Sequence, residues 1–391
     1  MRLLYDAVVF EEQSVGGISR IHRELLPRLC EQDAALRVLC LTTGRTCQPI
    51  PSHPRIEVRR ILPLEHLMRP HRLFGRMSRR ARGLALSLAL RGEHSGVWLS
   101  SYYTRPLAGR FPSVAMVYDL IYELFPQLYV GAGEDQVRHR MRETITLANH
   151  VVCISEHTRS DVLKIYGVPA SRTSVVYPGL SPPIPAGSDF WASARGRPVP
   201  SRYALYIGPR WHYKNFLTLL QAYACWDHPA DVPLVCAGGE ANWSPEERAA
   251  IIRLGLSERI RNLGAVSDEE LAALYVGAQF LVLPSMYEGF GLPVLEAMQH
   301  GTLAVISHAS SLPEVGADVA FYFDPADPGS IARAMSDALD LPGPARGVRI
   351  AAGRARAALF TTESMANQML TVLREVAEGG THGAPAREAV P

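Results

Sequence analysis

Two carboxylates, Glu288 and Glu296, sit eight positions apart around a glycine loop, in Pro284-Ser285-Met286-Tyr287-Glu288-Gly289-Phe290-Gly291-Leu292-Pro293-Val294-Leu295-Glu296-Ala297-Met298. Ahead of them the apolar run Ala278 to Leu283 reads as a buried strand, and after them Val294, Leu295 and Met298 recur at helical spacing. The segment is therefore strand, glycine loop, helix. Unpaired N–H groups and the helix dipole favour an anion at such a helix start. Donors for phosphate beside two carboxylates for hydroxyls suit a nucleotide sugar.

A second constellation is Tyr206-Ile207-Gly208-Pro209-Arg210-Trp211-His212-Tyr213-Lys214-Asn215. A strand ends at Gly208, and two cations four residues apart follow. Arg210 offers a planar fork for phosphate and Lys214 a point charge. A diphosphate leaving group gains negative charge as its bond to a sugar breaks, so fixed cations there stabilise the transition state most. The plainer reading is two solvated surface charges. Nearer the N-terminus, Gly16-Gly17 follows the first strand and precedes a helix with Ile21, Leu25, Leu26 and Leu29 on one face. A glycine pair admits a ligand close to the backbone, though an ordinary strand-to-helix turn would look the same. Val266-Ser267-Asp268-Glu269-Glu270-Leu271 predicts a capping box, Ser267 with Glu270, at the start of another helix.

The elements that must carry these loops alternate between short apolar strands and helical patterns. Strands are expected at Leu3–Val9, Arg37–Thr42, Val97–Ser100, Val114–Val117 and Val151–Ile154, then at Ala204–Ile207, Leu234–Ala237, Gln279–Leu283 and Leu303–Ile306. Continuous apolar strands separated by helices indicate parallel sheets covered on both faces, an α/β architecture. A length of 391 residues suggests two domains. Six Pro and three Gly between Pro178 and Pro200 form the densest breaker cluster and mark a linker. The expected layout is a domain over 1–180, a linker over 181–200, a second domain over 201–360, a last helix over 361–378 and a disordered tail over 379–391. A ligand cleft is expected at the carboxyl ends of the strands.

Composition narrows the class. The apolar share is 47%, the charged share 20% and the net charge +2, as in ordinary globular proteins. No apolar run approaches the roughly 18–20 residues of a membrane span, and the first residues read as a strand rather than a leader. Six scattered Cys with no C-x-x-C pair read as reduced thiols, which suits a cytoplasmic protein. Arginines 69, 72, 76, 79, 80 and 82 accompany Leu73, Phe74, Met77, Leu84 and Leu88 at helical spacing. Such a basic amphipathic helix could lie on an anionic membrane at the inner face of the cell, or pack its apolar stripe on the first domain. No aromatic interleaving accompanies the charges, which argues against nucleic acid.

The E-x7-E string at Glu288 and Glu296 resembles the signature of the retaining glycosyltransferases of family four. These have two facing Rossmann-like domains, the GT-B architecture. The resemblance covers roughly residues 1 to 375 and points to the subgroup that builds O-antigens and other polysaccharides. It implies that Glu296 holds the ribose hydroxyls and Glu288 the hydroxyls of the donor sugar. It implies that Gly289 and the amides of Phe290, Gly291 and Leu292 meet the sugar or diphosphate. Gly16, Gly17, Gly208, Arg210 and Lys214 then face the donor phosphates, and Val266 and Leu271 the nucleobase. Ser310-Ser311-Leu312-Pro313-Glu314 matches the family as a shaper of the cleft, and the last helix would pack back on the first domain.

One departure stands at Val117-Tyr118-Asp119, where many members carry a His-Asp pair. Asp119 is present and Tyr118 stands in place of His, so both are expected as positioning groups rather than proton shuttles; Asp119 could instead merely cap the next helix. The implied donor is a nucleoside diphosphate sugar, GDP-mannose or a related GDP-sugar before a UDP-sugar. The implied acceptor is a saccharide or lipid-linked glycan. No D-x-D pair marks a metal site, so neither metal nor cofactor is expected. Two other classes fit the same architecture: a nucleotide-sugar epimerase and a non-catalytic binding module.

Overall fold

The computed structural model describes residues 1–13, 16–62, 81–105, 111–184, 200–227 and 232–379. Most of the predicted basic helix, the linker from 185 to 199 and the tail from 380 lie outside these. The chain forms two compact units. Unit 1 is Met1–Gly179 together with the chain from Thr361 onward; unit 2 is Leu180–Phe360.

Unit 1 is built on seven strands: β1 Arg2–Asp6, β2 Arg37–Thr42, β3 Ile56–Arg60, β4 Val97–Ser100, β5 Ser113–Val117, β6 His150–Cys153 and β7 Thr173–Val175. They pair in parallel in the order β3-β2-β1-β4-β5-β6-β7. Apolar side chains on both faces of the central strands are buried, as parallel sheets require. The first strand is shorter than predicted. It stops at Asp6, whose carboxylate accepts the Val8 N–H and the Ser101 N–H, and Val8–Glu12 turns into a short helix. That buried carboxylate ends the ladder where apolarity alone would have continued it.

Helix Gly17–Gln32 buries Ile21, Leu25, Leu26 and Leu29. Helix Thr362–Ala377 packs on it although the two lie at opposite ends of the chain. Thr361 caps that last helix by accepting the Ser364 N–H at 3.0 Å. Arg374 reaches Asp33 at 2.9 Å, and Arg28 reaches Glu363 at 3.2 Å. Arg82, the one arginine of the basic stretch within the described residues, is paired with Glu11 at 3.1 Å and is largely buried, so it is not offered to a membrane.

Unit 2 is built on β8 Ala204–Ile207, β9 Leu234–Ala237, β10 Ile260–Gly264, β11 Phe280–Leu283, β12 Leu303–Ser307 and β13 Phe321–Phe323, parallel in the order β10-β9-β8-β11-β12-β13. Tyr206, Phe216, Trp226 and Phe280 anchor the core on one face; Leu205, Val235, Leu281 and Ala297 fill the other. Strand order reverses between β8 and β11. In open parallel sheets the crevice outside the carboxyl ends of the strands at such a reversal is where ligands bind. In unit 1 the reversal falls between β1 and β4.

Two predictions arise from the packing of unit 1. A methyl group on Gly179 would run into the backbone at Thr361 and Thr362. Gly179→Ala should therefore destabilise the protein by about 1–3 kcal/mol, the usual cost of overpacking, seen as a lower thermal midpoint; an unchanged midpoint would show that the two backbones part freely. The second concerns two buried histidines. Burial lowers His22 from the usual 6.5 to about 3. Burial first, then the charges of Arg172 and Arg159, lower His150 to about 4. Both are neutral when folded and protonate in the unfolded chain below about pH 6.5, so their contribution is complete above that pH and is lost as pH falls toward 3–4. Each should contribute a slope of up to about 1.4 kcal/mol per pH unit across that window. His22→Gln should flatten the acid limb of a stability–pH curve; an unaltered slope would refute the assignment.

Candidate active site

Lys214 and Glu288 arrive from opposite sides of the strand reversal in unit 2. Lys214 lies in the 3-10 turn His212–Lys214 after β8, and Glu288 in the loop after β11. The Lys214 ammonium donates to both Glu288 oxygens, at 2.7 and 2.8 Å. Ser285 Oγ adds a donor to Glu288 Oε1 at 2.6 Å, and the Glu288 N–H donates to Ser310 Oγ at 2.8 Å. Both side chains keep some exposure, 15% and 12%, so the pair is accessible to a ligand rather than sealed.

Asn215 holds the lysine in place. It takes the left-handed conformation, φ 59, which asparagine tolerates. Its amide then donates to the carbonyls of Pro284 and Pro325, at 3.1 and 2.7 Å. The loops after β8, β11 and β13 are thereby locked together. Sequence reading passed over Asn215 and Ser285; an asparagine directly after the lysine was the available signal.

Glu296 lies inside helix Leu292–Gln299, only 6% exposed, and accepts the Tyr275 hydroxyl at 2.8 Å. Tyr275 is stacked on His300, with ring centroids 5.6 Å apart. Gly291 is the N-cap of the helix, and no side chain caps it, so neither carboxylate serves as a cap. Only glycine fits at 291: φ is 112, and a Cβ would lie 2.7 Å from Leu312 Cδ2. Ser311 Oγ, 2.9 Å from the Glu288 and Phe290 carbonyls, fixes the loop from behind. Phe290 is buried edge-on against Phe360, which leaves its backbone rather than its ring for Gly289–Leu292 to present.

Arg210 differs from expectation. Its fork is turned to protein: Nε donates to Glu247 at 2.9 Å, and Nη2 to the carbonyls of Glu240 and Asn242 at 3.1 and 2.9 Å. The structure therefore does not bring Arg210 together with Lys214 and Glu288 as a phosphate clamp. Gly208 has φ 123 and open space on its side-chain side. Ser267 and Glu270 form the predicted capping box at helix Asp268–Gly277, and Val266 and Leu271 pack half-buried on the core beside it.

In unit 1 the expected residues separate. Gly16 and Gly17 are exposed at the start of helix Gly17–Gln32. Asp119 Oδ1 accepts the Ile121 N–H at 3.2 Å, at the start of helix Ile121–Leu124. Tyr118 is buried, and its hydroxyl donates to the Ser101 carbonyl at 2.8 Å and meets His22 Nε2. It is thus an internal strut and not a group facing substrate, the correction that burial imposes. Because that hydroxyl has one hydrogen, His22 is best placed as the Nε2–H donor to it, which leaves Nδ1 a buried acceptor without a partner among the described residues. Asp6, Ser101 and Thr104 complete this polar core; burial raises the Asp6 pKa, opposed by the Ser101 and Thr104 hydroxyls. Sequence reading did not find His22, which comes from a helix 96 residues before Tyr118.

Known families and structures resemble both halves of the chain. Residues 15–182 match the model described as Glycosyltransferase Family 4, and residues 188–356 the model described as Glycosyl transferases group 1. O-antigen chain mannosyltransferase B of Escherichia coli is 31% identical over 256 residues, 62% of this chain and 65% of that protein, so the chain spans just under two thirds of that relative. O-antigen chain mannosyltransferase RfbU of Salmonella typhimurium is 26% identical over 259 residues, 66% of this chain and 69% of that protein. Among solved structures, a sucrose-phosphate synthase from Thermosynechococcus elongatus superposes with a TM-score of 0.77 at 21% identity, covering 97% of this chain and 100% of that one. WaaG, a glycosyltransferase involved in lipopolysaccharide biosynthesis, does so with 0.71 at 14% identity, covering 95% and 99%. With the two halves matching paired glycosyltransferase models and both sheets parallel and Rossmann-like, the chain belongs to the GT-B glycosyltransferases of the family-four type.

Proposed function

We propose that this protein is a retaining glycosyltransferase that moves a hexose, mannose from GDP-mannose by preference, onto a saccharide or lipid-linked glycan during O-antigen or related polysaccharide assembly. The observation that carries the reading is the Lys214–Glu288 pair at the strand reversal of unit 2. Unliganded, the pair is nearly neutral. An arriving diphosphate would take up donors of Lys214, whose three N–H bonds can serve phosphate and carboxylate together. Glu288 then accepts from sugar hydroxyls, and Glu296, held by Tyr275, accepts from the ribose. The N-terminus of helix Leu292–Gln299 adds its dipole to the diphosphate side.

In this mechanism the bond from the anomeric carbon to the phosphate oxygen breaks, and the bond to the acceptor oxygen forms on the same face. The acceptor hydroxyl gives its proton to the departing phosphate oxygen. Lys214 stabilises the charge that develops there, a task that needs no metal. Unit 1 is proposed to carry the acceptor, with Asp119 as a positioning group. Support for the sugar and its pathway comes from the O-antigen mannosyltransferase relatives. The UDP-glucose complex of HepE, which shares the fold, keeps a UDP-sugar in play. No helix among the described residues is long and apolar enough to cross a bilayer.

Calorimetric titration with GDP and UDP, first without metal and then with magnesium, tests the donor half. Metal-free binding of GDP is expected, and Lys214→Ala should weaken it ten- to hundredfold, the roughly 1.5–3 kcal/mol of a charge-assisted hydrogen bond. Equal affinity in the variant would remove Lys214 from the site. Preference for UDP would overturn the GDP-mannose assignment, and epimerisation of the sugar nucleotide with no acceptor present would replace the transferase altogether.

A further inference from the structure

One buried ion pair joins the loops after β8 and β9. Arg210 and Glu247 meet at 2.9 Å with side chains only 6% and 8% exposed. The guanidinium lies 4.7 Å over the ring of Trp243, and Trp243 is stacked on Phe216 at 5.8 Å. Through the Glu240 and Asn242 carbonyls the same guanidinium holds the loop after β9. The other oxygen of Glu247 accepts the Ser244 N–H at 2.7 Å, closing the capping box at helix Pro245–Arg253. Asn262, on β10, donates to the carbonyls of Glu240 and Ala241 at 2.9 Å each and accepts the Gly264 N–H at 3.0 Å. Gly238 N–H donates to the Gly264 carbonyl at 2.8 Å. The loop that runs on to Val266 is thus seated on the loop that Arg210 holds.

We propose that Arg210 and Glu247 are positioning residues for nucleotide recognition: their pair sets the three loops on the β10 side of unit 2 as one frame. The inference rests on reading unit 2 as the nucleotide-binding unit. A buried charge pair suits this role, because loss of either partner leaves the other uncompensated in a site that water cannot easily reach. Lysine cannot replace Arg210, since only the planar fork reaches the carboxylate and the carbonyls at once.

The sign of one substitution separates this role from a phosphate clamp. If Arg210 gripped phosphate, Glu247→Gln would release it and remove a nearby negative charge, so a diphosphate would bind as tightly as before or more tightly. If the pair is a frame, Glu247→Gln and Arg210→Lys should each weaken the better bound of GDP and UDP at least tenfold. Both should also raise deuterium uptake across 238–248 in the unliganded protein. Unchanged or tighter binding by Glu247→Gln overturns the proposal, as does a lower thermal midpoint with unaltered affinity, which would mark a purely structural pair. Should the wild-type protein bind neither nucleotide, the donor reading falls; uptake across 238–248 still decides the frame, and unchanged uptake overturns it.

Discussion

In unit 2 the chain builds β8, β9 and β10 in one direction and then crosses back to lay β11 on the other side of β8. That reversal obliges two loops to diverge at the carboxyl end of the sheet, and the crevice between them cannot be filled by either. Lys214 stands on one lip and Glu288 on the other, 2.7 Å apart. Most of what surrounds them maintains that separation: Asn215 fastened to two carbonyls, Ser285 and Ser310 holding Glu288, Ser311 behind the glycine loop. In the role proposed for it, a charge pair that exchanges partners with a ligand cannot be fully buried, since desolvation would fix it permanently. It also cannot be fully exposed, since screening would reduce it to little. The partial exposure of both side chains lies between these limits.

Unit 1 repeats the topology with different content. Its reversal lies between β1 and β4, and there the structure places Asp6, Ser101, Thr104, Tyr118 and His22 in mutual contact and out of water. Such a network is costly unless satisfied, and among the described residues all of its buried side-chain polar atoms but His22 Nδ1 have a partner. Its rigidity differs in kind from that of unit 2, where the charged groups are left within reach of solvent.

How much of this was legible in the sequence depends on what each feature must contain. The nine strands read from apolar runs are the interior strands of both sheets, and the four missed are the edges β3, β7, β10 and β13. Ile56-Glu57-Val58-Arg59-Arg60 and Ile260-Arg261-Asn262-Leu263-Gly264 mix charge with apolarity because an edge strand has a neighbour on one side only. Continuous apolarity signals burial between neighbours, and an edge does not supply it. At the candidate site, Lys214, Glu288 and the glycine loop stand out in the sequence because each lies in a short local motif, and the structure brings the lysine and the carboxylate into contact. The pairing of Arg210 with Glu247 was not legible because the two stand 37 residues apart, and Tyr275 and His22 are likewise joined to Glu296 and Tyr118 only by folding. A cation in a motif reveals its charge but not which anion it meets.

Unit 1 is discontinuous: it begins the chain, is interrupted by all of unit 2, and is completed by helix Thr362–Ala377 against helix Gly17–Gln32. During synthesis from the N-terminus, every strand of the first sheet has emerged well before that helix exists. Unit 2 has all of its residues by Phe360 and needs nothing that follows. The second unit to be made is therefore the first able to finish folding, and the apolar side of helix Gly17–Gln32 must wait, uncovered by its final partner, while some 180 residues of unit 2 pass. A nascent chain in this interval exposes the surface that helix Thr362–Ala377 will later cover, which makes that helix the element that ends its exposure to aggregation and proteolysis.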